Sequence, residues 1–509
     1  MWTTTSGLRG KKLHLAITFT SVVGFSLFGY DQGIPPLHGD SEHVAVLRGA
    51  VTACYELGCF FGAIFTMAYG QRIGRTPLLV AGGLLMILGT IISTLSFGPH
   101  WGLGQFVIGR VISGLGNGMD TATIPVWQSE CSRAHNRGFL VCFEGAIIAV
   151  GTLIAYWLDF GLSYVETSVQ WRFPVAFQIL FAILVTGGAL MLPESPRWFV
   201  MQGHDEEAIQ VLAQLNDSAP DAEDVLADFN LMKADLAAMQ NIEANSWSIL
   251  FTGGKTQHFQ RMAIGCSGQF FQQFTGCNAA IYYSTLLFQQ NLHMEGRLPL
   301  ILGGVFATVY AIATIPSFFM IERVGRRNLF LIGFLGQERQ GCHRRYLLVH
   351  LLLRLYYAAS ALDLPPEINP LRTRTKAASA STCMNWITNF AVVMFTPVFS
   401  NQSDWGIYLF FALVNFTAIP FAWFFYLETA GRDLEEVDII FAKAHTEGKW
   451  PYKVAQEMPK LSIAQITQMQ AELGLDVSDL RVNTEAEKAE TAMSSSSETK
   501  HSETETKTE

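Results

Sequence analysis

The chain has 509 residues, half of them hydrophobic and 15% charged, with a mean hydropathy of +0.26. An average soluble protein carries about 25% charged residues, so an ordinary soluble domain is excluded. The net charge of −9 lies mainly in one internal loop and the C-terminal tail and so says nothing about nucleic acid, for which no partner role is expected; the eight cysteines show neither metal spacing nor a secreted disulfide pattern, and no cofactor is expected.

Apolar runs of about 17–25 residues, the length that crosses a bilayer core, recur between Leu13 and Leu427 and predict an all-α membrane protein. The predicted spans are 13–34, 46–68, 78–96, 101–125, 138–158 and 173–192, then 261–288, 299–320, 377–399 and 405–427. Arg9, Lys11 and Lys12 precede the first run as in a signal peptide. Gly29-Tyr30-Asp31-Gln32-Gly33 closes it in place of a small-residue cleavage site, so it reads as a retained helix. Residues 1–192 are thus expected to form an N-terminal bundle and 261–430 a C-terminal one. The loop 193–260 between them has helical periodicity over 206–215 and 225–239, and 431–509 form a polar tail, disordered from about 485. Basic residues concentrate in alternate loops, which places both termini and the 193–260 loop on the cytoplasmic side.

Three short motifs occur twice in the same order. GQRIGRTP with Arg75 is matched by ERVGRR with Glu322 and Arg326. Glu130 before Arg137 is matched by Glu367 before Arg372, and Glu194 before Arg197 by Glu428 before Arg432. The chain therefore reads as two copies of one membrane bundle, with these acids and arginines forming a salt-bridge network at the cytoplasmic end. Secondary transporters are built from such paired repeats. No Gly-rich phosphate loop with Lys-Ser/Thr and no His/Cys metal cluster is present in the sequence, so neither an enzyme nor an ATP-driven pump is expected.

The repeat fails at one place. Arg75 to Glu130 spans 55 residues, whereas Arg326 to Glu367 spans 41. The stretch 337–364 puts Arg339, His343, Arg344 and Arg345 where lipid-facing residues belong, and Leu329–Gly336 is only eight residues, about 12 Å as helix. The ninth and tenth of twelve expected spans are anomalous. Two readings stand: a displaced exon boundary or reading frame, or a real shortened variant.

Charged and amide side chains within apolar runs mark the candidate site. Asp31 and Arg110 fall at similar depth in the outer half of the first bundle. A charge there costs about 2.5–3.5 kcal/mol on insertion scales, so such groups pair or line a cavity. Protonating Asp31 would release Arg110, which is a basis for proton coupling; a static ion pair is the alternative. Glu56, Asp120 and Glu144 are further acids that either line the cavity or bond a neighbouring helix. In the second bundle Gln269, Gln272, Gln273 and Asn278 lead into Tyr282 and Tyr283. Neutral amides donate and accept, which suits a small, neutral, polyhydroxylated solute.

The motifs GQRIGR, PVWQSE, PESPRW, QQFTGCNAAIYYS, ERVGRR, PPEI, NW..NF and LETAGR together resemble the sugar porter family of the major facilitator superfamily. IPVWQSE, RGFLVCFEG, YWLDFGLSY, VQWRFP and FFQQFTGCNAAIYYST look most like its fungal sugar-transporter-like glycerol–proton symporters. The resemblance implies uptake of glycerol or a small polyol with a proton across the plasma membrane by alternating access. It assigns proton coupling to Asp31 and Arg110. The solute falls to Gln272, Gln273 and Asn278 with Gln269 beside them and to Asn389, and an outer gate to Tyr282 and Tyr283. Two sugar contacts of hexose porters fall on Gly145 and Tyr310, which favours a small polyol, and the tenth-helix Pro-Trp segment is absent from the anomalous stretch. A hexose symporter or facilitator is the near alternative. A non-transporting nutrient receptor, disfavoured by the short tail, is the alternative of another class.

Overall fold

The computed structural model describes residues 7–32, 42–96, 102–132, 137–240, 250–251, 256–291, 296–314, 325, 327–328, 331, 368–370, 373–403, 405–429, 432, 434–461 and 463–473. Among the described residues every regular element is a helix. The first six are α1 (Gly10–Gln32), α2 (Glu42–Ile73), α3 (Arg75–Thr94), α4 (Gly102–Cys131), α5 (Arg137–Leu162) and α6 (Val169–Met191). Short helices α7 (Pro196–Met201), α8 (Asp205–Asn216) and α9 (Glu223–Gln240) follow. Next come α10 (His258–Phe274), α11 (Cys277–Asn291), α12 (Leu298–Thr314), α13 (Arg374–Gln402) and α14 (Gly406–Phe425). The chain divides into two compact units, 1–252 with 258–431, and 253–257 with 432–509. Stretches 10–31, 49–73, 75–94, 145–162, 169–191 and 376–400 are long and apolar enough to cross a bilayer. Helices pair most backbone polar groups internally, as lipid requires; Pro174 and Pro397 interrupt two of them, and the Val393 carbonyl, four residues before Pro397, accepts from Tyr283 instead.

Glycine spacing brings the first helices together. Gly58 and Gly62 of α2 face Gly114 and Gly118 of α4, and an added Cβ at any of the four would lie 2.1–2.4 Å from a backbone oxygen of the facing helix. Backbones at that separation leave no room for larger residues. The same device joins α1 to α5, where Gly29 meets Ile148 and Gly151 meets Ser26. The first approach holds α2, with Tyr55, against α4, with Arg110; the second holds α1, with Asp31, against α5. Below the bundle, Leu13 and Ile17 of α1 share a buried cluster with Phe199, Val211, Leu212, Leu215 and Val225. Helices α7–α9 thus form a cap packed under the first helices.

Two expectations change. The stretch 261–288, read as one span, is two helices. Gly276 breaks it at φ +81°, with the ring of Phe411 within 3.0 Å of where a Cβ would stand. A left-handed residue cannot continue an α-helix, and only glycine adopts it without strain here. The tail, read only as polar, carries α15 (Leu434–Glu447), α16 (Pro451–Glu457) and α17 (Ile463–Leu473). They pack through Val437, Ile440, Phe441 and Val454, around Glu436, which accepts from the Leu461 N–H. The anomalous 337–364 stretch, the residues beyond 473, and Glu322, Arg326, Glu367 and Arg372 lie outside the described residues.

Candidate functional site

Asp31, near the C-terminal end of α1, is 1% exposed. Arg110 of α4 donates both terminal nitrogens to it, Nη1 to Oδ1 and Nη2 to Oδ2, the latter at 3.1 Å. Such a two-pronged fit uses the planar fork of guanidinium and is among the stronger charge-assisted contacts. Arg110 also stacks over the ring of Tyr55, its Cζ 4.4 Å from the centroid. Gln178 of α6, not singled out in the sequence, donates to Asp31 Oδ1, and its own Oε1 accepts from Thr90 of α3 at 3.5 Å. Tyr30 fixes α1 to α6 by donating to the Pro174 carbonyl at 3.0 Å. One buried carboxylate therefore ties together α1, α4 and α6. Asp120 stands apart from this group, buried between α3 and α4 against Gly82. The Glu144 side chain lies outside the described residues.

The amides of the second half gather where the seventh span breaks. Asn278, just after the break, donates to Gln273 Oε1 at 2.7 Å and to Asn389 Oδ1 of α13 at 3.0 Å. Gln273 Nε2 in turn donates to Asn385 at 2.5 Å. Gln269 is buried and Gln272 half-buried on the same helix. The break lets Asn278 reach across five residues to Gln273, which a continuous helix would not allow. Rings of Phe270 and Phe274 lie beside them, 4.6 Å between centroids. This is a compact array of neutral donors and acceptors, able to trade its internal bonds for those of a hydroxylated solute.

Contacts between the two halves run along the end remote from the arginine motifs. Tyr282 donates to Glu56 Oε1 of α2 at 2.5 Å. Tyr156 of α5 donates to the Ile281 carbonyl and accepts from Ser284 at 2.7 Å, and Trp157 donates to Thr308 at 3.0 Å. Gly49 of α2 meets the Met394 backbone. Tyr283 bonds within its own half, to the Val393 carbonyl at 3.0 Å. Neither Tyr156 nor Ser284 carried a sequence signal, because a lone hydroxyl in an apolar run is ordinary. Gln178 and Asn385 are amides inside predicted spans, a far weaker mark than a charge and an ordinary one between packed helices.

At the opposite end, Arg75 forms a two-pronged pair with Glu130, Nε and Nη2 each 3.0 Å from an oxygen. Glu194 does something different from a salt bridge. It accepts from the backbone N–H groups of Arg75, Thr76 and Ser195, each at 2.9 Å, and from the Thr76 hydroxyl at 2.8 Å. A carboxylate there satisfies the unpaired N–H groups that open α3 and complements its dipole. Glu428 repeats the arrangement, accepting from Arg327 N–H at 3.1 Å, two residues past Gly325 as Thr76 is two past Gly74. Both glycines have positive φ, and each would place a Cβ against the carboxylate. Arg432 donates to the Ala455 and Met458 carbonyls at 2.7 and 2.8 Å within the tail, with Glu436 3.7 Å away. Arg197 is half-buried on α7, Arg137 opens α5 with its side chain outside the described set, and among the described residues no group of His, Cys, Asp and Glu could hold a metal.

The sugar (and other) transporter family model matches residues 17–338 and 351–441. The chain is similar to the major facilitator superfamily transporter mfsA of Aspergillus fumigatus, 58% identical over 535 aligned positions that cover 98% of each chain. It is also similar to the sugar transporter STL1 of Saccharomyces cerevisiae, at 49% identity over 90% of this chain and 87% of that one. The low-affinity glucose transporter HXT1 of the same yeast is 29% identical over 88% of this chain and 85% of its own. Among solved structures, the proton:xylose symporter XylE bound to 6-bromo-6-deoxy-D-glucose superposes with a TM-score of 0.70, at 23% identity over 84% of this chain and 99% of that one.

Proposed function

The chain belongs to the sugar (and other) transporter family, and from that membership we propose that it takes up glycerol or another small polyol together with a proton. It is a multi-pass membrane transporter and not an enzyme. The observation that carries the coupling is Asp31, buried in an apolar bundle and held by Arg110 and Gln178 at once. A buried ion pair gains little net stability over apolar packing, so its presence in the bundle argues for use. A proton on Asp31 removes the charge that holds Arg110 and leaves a neutral acid that the Gln178 amide can still bond. Losing the proton restores the pair. The N-terminal bundle, 1–192, and the C-terminal one, 261–430, then exchange openings on opposite sides of the membrane.

The solute reading rests on the amides of Gln269, Gln272, Gln273, Asn278 and Asn389, all neutral, gathered at the broken helix. Unwound backbone at such a break is a common setting for transporter ligands. Tyr310 is buried against Ala149 and Ile281. A ring filling the contact of the two halves narrows the space for a hexose and favours a three- to five-carbon polyol. The relatives named as sugar or glucose transporters support a hydroxylated solute. The distribution of Arg and Lys supports cytoplasmic termini, and the proposed uptake implies a plasma-membrane address. Tyr282 and Tyr283 act as the outer gate, and Arg75, Glu130, Glu194 and Glu428, with Arg137, Arg197, Glu322, Arg326, Glu367 and Arg372, as the cytoplasmic network, while Arg432 holds the tail to itself.

Uptake of labelled glycerol by cells expressing the chain tests the reading, with external pH recorded. Accumulation against the gradient with external alkalinisation is expected, and Asp31→Asn is expected to abolish both while the chain still reaches the membrane. Equilibration without alkalinisation would mean a facilitator, and neither signal, for polyols or sugars, a receptor. An Asp31→Asn variant that still concentrates solute removes Asp31 from the mechanism.

A further inference from the structure

Glu56 is an acid in the apolar stretch of α2, 0% exposed, and the proton-coupling pair does not use it. It sits at the contact of the two halves. Its Oε1 accepts from the Tyr282 hydroxyl of α11 at 2.5 Å. Its Oε2 is buried and makes no well-aligned hydrogen bond among the described residues. The Asn389 amide neighbours both Glu56 and Tyr282, and Asn389 also accepts from Asn278, which reaches Gln273. A polar path therefore runs from α2 of the first half into the amide array of the second. Among the described residues the facing groups are Tyr282 and Asn389 across the contact, Tyr55 beside Glu56 on α2, and Arg110 and Asp31 beyond the Tyr55 ring.

We propose that Glu56 couples solute binding to closure of the seal remote from the arginine motifs, its Oε1 latching Tyr282 and its Oε2 receiving a hydroxyl of the solute. The inference rests on the carrier reading above and deepens it by assigning a binding role to the first half. A buried acceptor left unsatisfied disfavours the closed seal when the site is empty. A polyol hydroxyl supplies the missing donor, so the seal closes best when occupied. A solute without hydroxyls gains nothing from Oε2, and a carrier that closes protonated but without solute leaks its proton gradient. Coupling of this kind requires that solute bind the closed state better than the open one, and Oε2 provides the difference.

Hydrogen exchange over 277–291 in purified chain, with and without glycerol, xylitol, xylose or glucose, reads the latch directly. In the unsubstituted chain, a transported solute is expected to slow exchange there. Glu56→Gln keeps the shape but replaces one acceptor by a donor, and is expected to lose the solute-dependent slowing. Tyr282→Phe removes one oxygen and is expected to speed exchange without solute. In cells, Glu56→Ala is expected to lower maximal uptake per molecule roughly ten-fold or more, the scale of a lost charge-assisted hydrogen bond. Adding Tyr282→Phe to Glu56→Ala is expected to cost little further. Full uptake with intact solute-dependent slowing in Glu56→Gln and Glu56→Ala, or additive losses in the double variant, would overturn the proposal. If no solute is taken up by the unsubstituted chain, the carrier reading fails instead. Solute-free exchange in Tyr282→Phe then decides the latch by itself, and an unchanged rate rejects it.

Discussion

The Asp31–Arg110 contact sets what single substitutions can do, because each group is buried and each depends on the other. Removing one partner of a buried pair leaves an uncompensated charge and costs about 3–5 kcal/mol, whereas removing both is often near neutral. Arg110→Gln is therefore expected to lower the thermal midpoint of the purified chain by several degrees, and the double variant Asp31→Asn/Arg110→Gln to recover most of it. Thermal unfolding in detergent checks this; a double variant as unstable as Arg110→Gln alone would mean that the arginine matters through its packing on Tyr55. Asp31 and Arg110 were legible in the sequence because a charge in an apolar run is costly enough to demand an explanation. Gln178 was not, since an amide in such a run costs far less and commonly serves as glue between helices. Asn385 escaped notice for a related reason, standing one turn before an amide, Asn389, that drew the attention. Glu56 was visible as an acid but not as a contact of the two halves, for its partner lies more than two hundred residues away.

Helices were legible as units because apolar runs of bilayer length admit almost no other structure; most ends came within four residues of the sequence-based bounds, while α2 and α4 run five and six residues further at their C-terminal ends. The break of the seventh span was not, since one glycine within an apolar run is as compatible with a continuous helix as with a kink. Gly276 decides it through backbone sign and crowding together: φ is +81°, and a Cβ would meet Phe411 Cδ2 at 2.7 Å. An L-residue held there costs about 1–3 kcal/mol in backbone strain, and relieving it means moving Asn278 relative to Gln273. Gly276→Ala is expected to cut maximal uptake roughly ten-fold or more, with the chain still present in membranes. Labelled uptake normalised to chain amount measures it, and a rate equal to the unsubstituted chain would detach the break from solute binding. At the other end of the bundle the recurring acids stood out in the sequence, but their bonding did not. Glu194 was read as one acid of a salt-bridge network, and its described partners are backbone N–H groups, two of them at the start of α3, and the Thr76 hydroxyl.

Across the whole chain, the two-copy organisation was written in motifs that recur in order, and Glu194 and Glu428 now share a bonding position in their respective copies. The contact between copies was not legible, because its residues come from α2, α5, α11, α12 and α13 and no local pattern links them. The copies also differ in length. Arg75 to Glu130 spans 55 residues and Arg326 to Glu367 spans 41, a shortfall of 14 in the second copy. The family match is interrupted at 339–350 inside that interval, and the alignment to the Aspergillus fumigatus relative runs over 535 positions against the 509 residues of this chain. Loops at Arg326 and Arg372 belong on the same side of the membrane, so an even number of crossings has to separate them, each needing about 20 apolar residues. The interval 337–364, with Arg339, Arg344 and Arg345, does not provide two. Transcripts read across codons 330–370 are accordingly expected to encode a second reading of this stretch, longer by about 14 residues and free of the arginine cluster. A carrier with that reading is expected to accumulate solute against its gradient at a rate at least roughly ten-fold above the present chain, because alternating access needs both copies complete. Equal rates for the two would show that the shortened second copy already moves as a whole bundle.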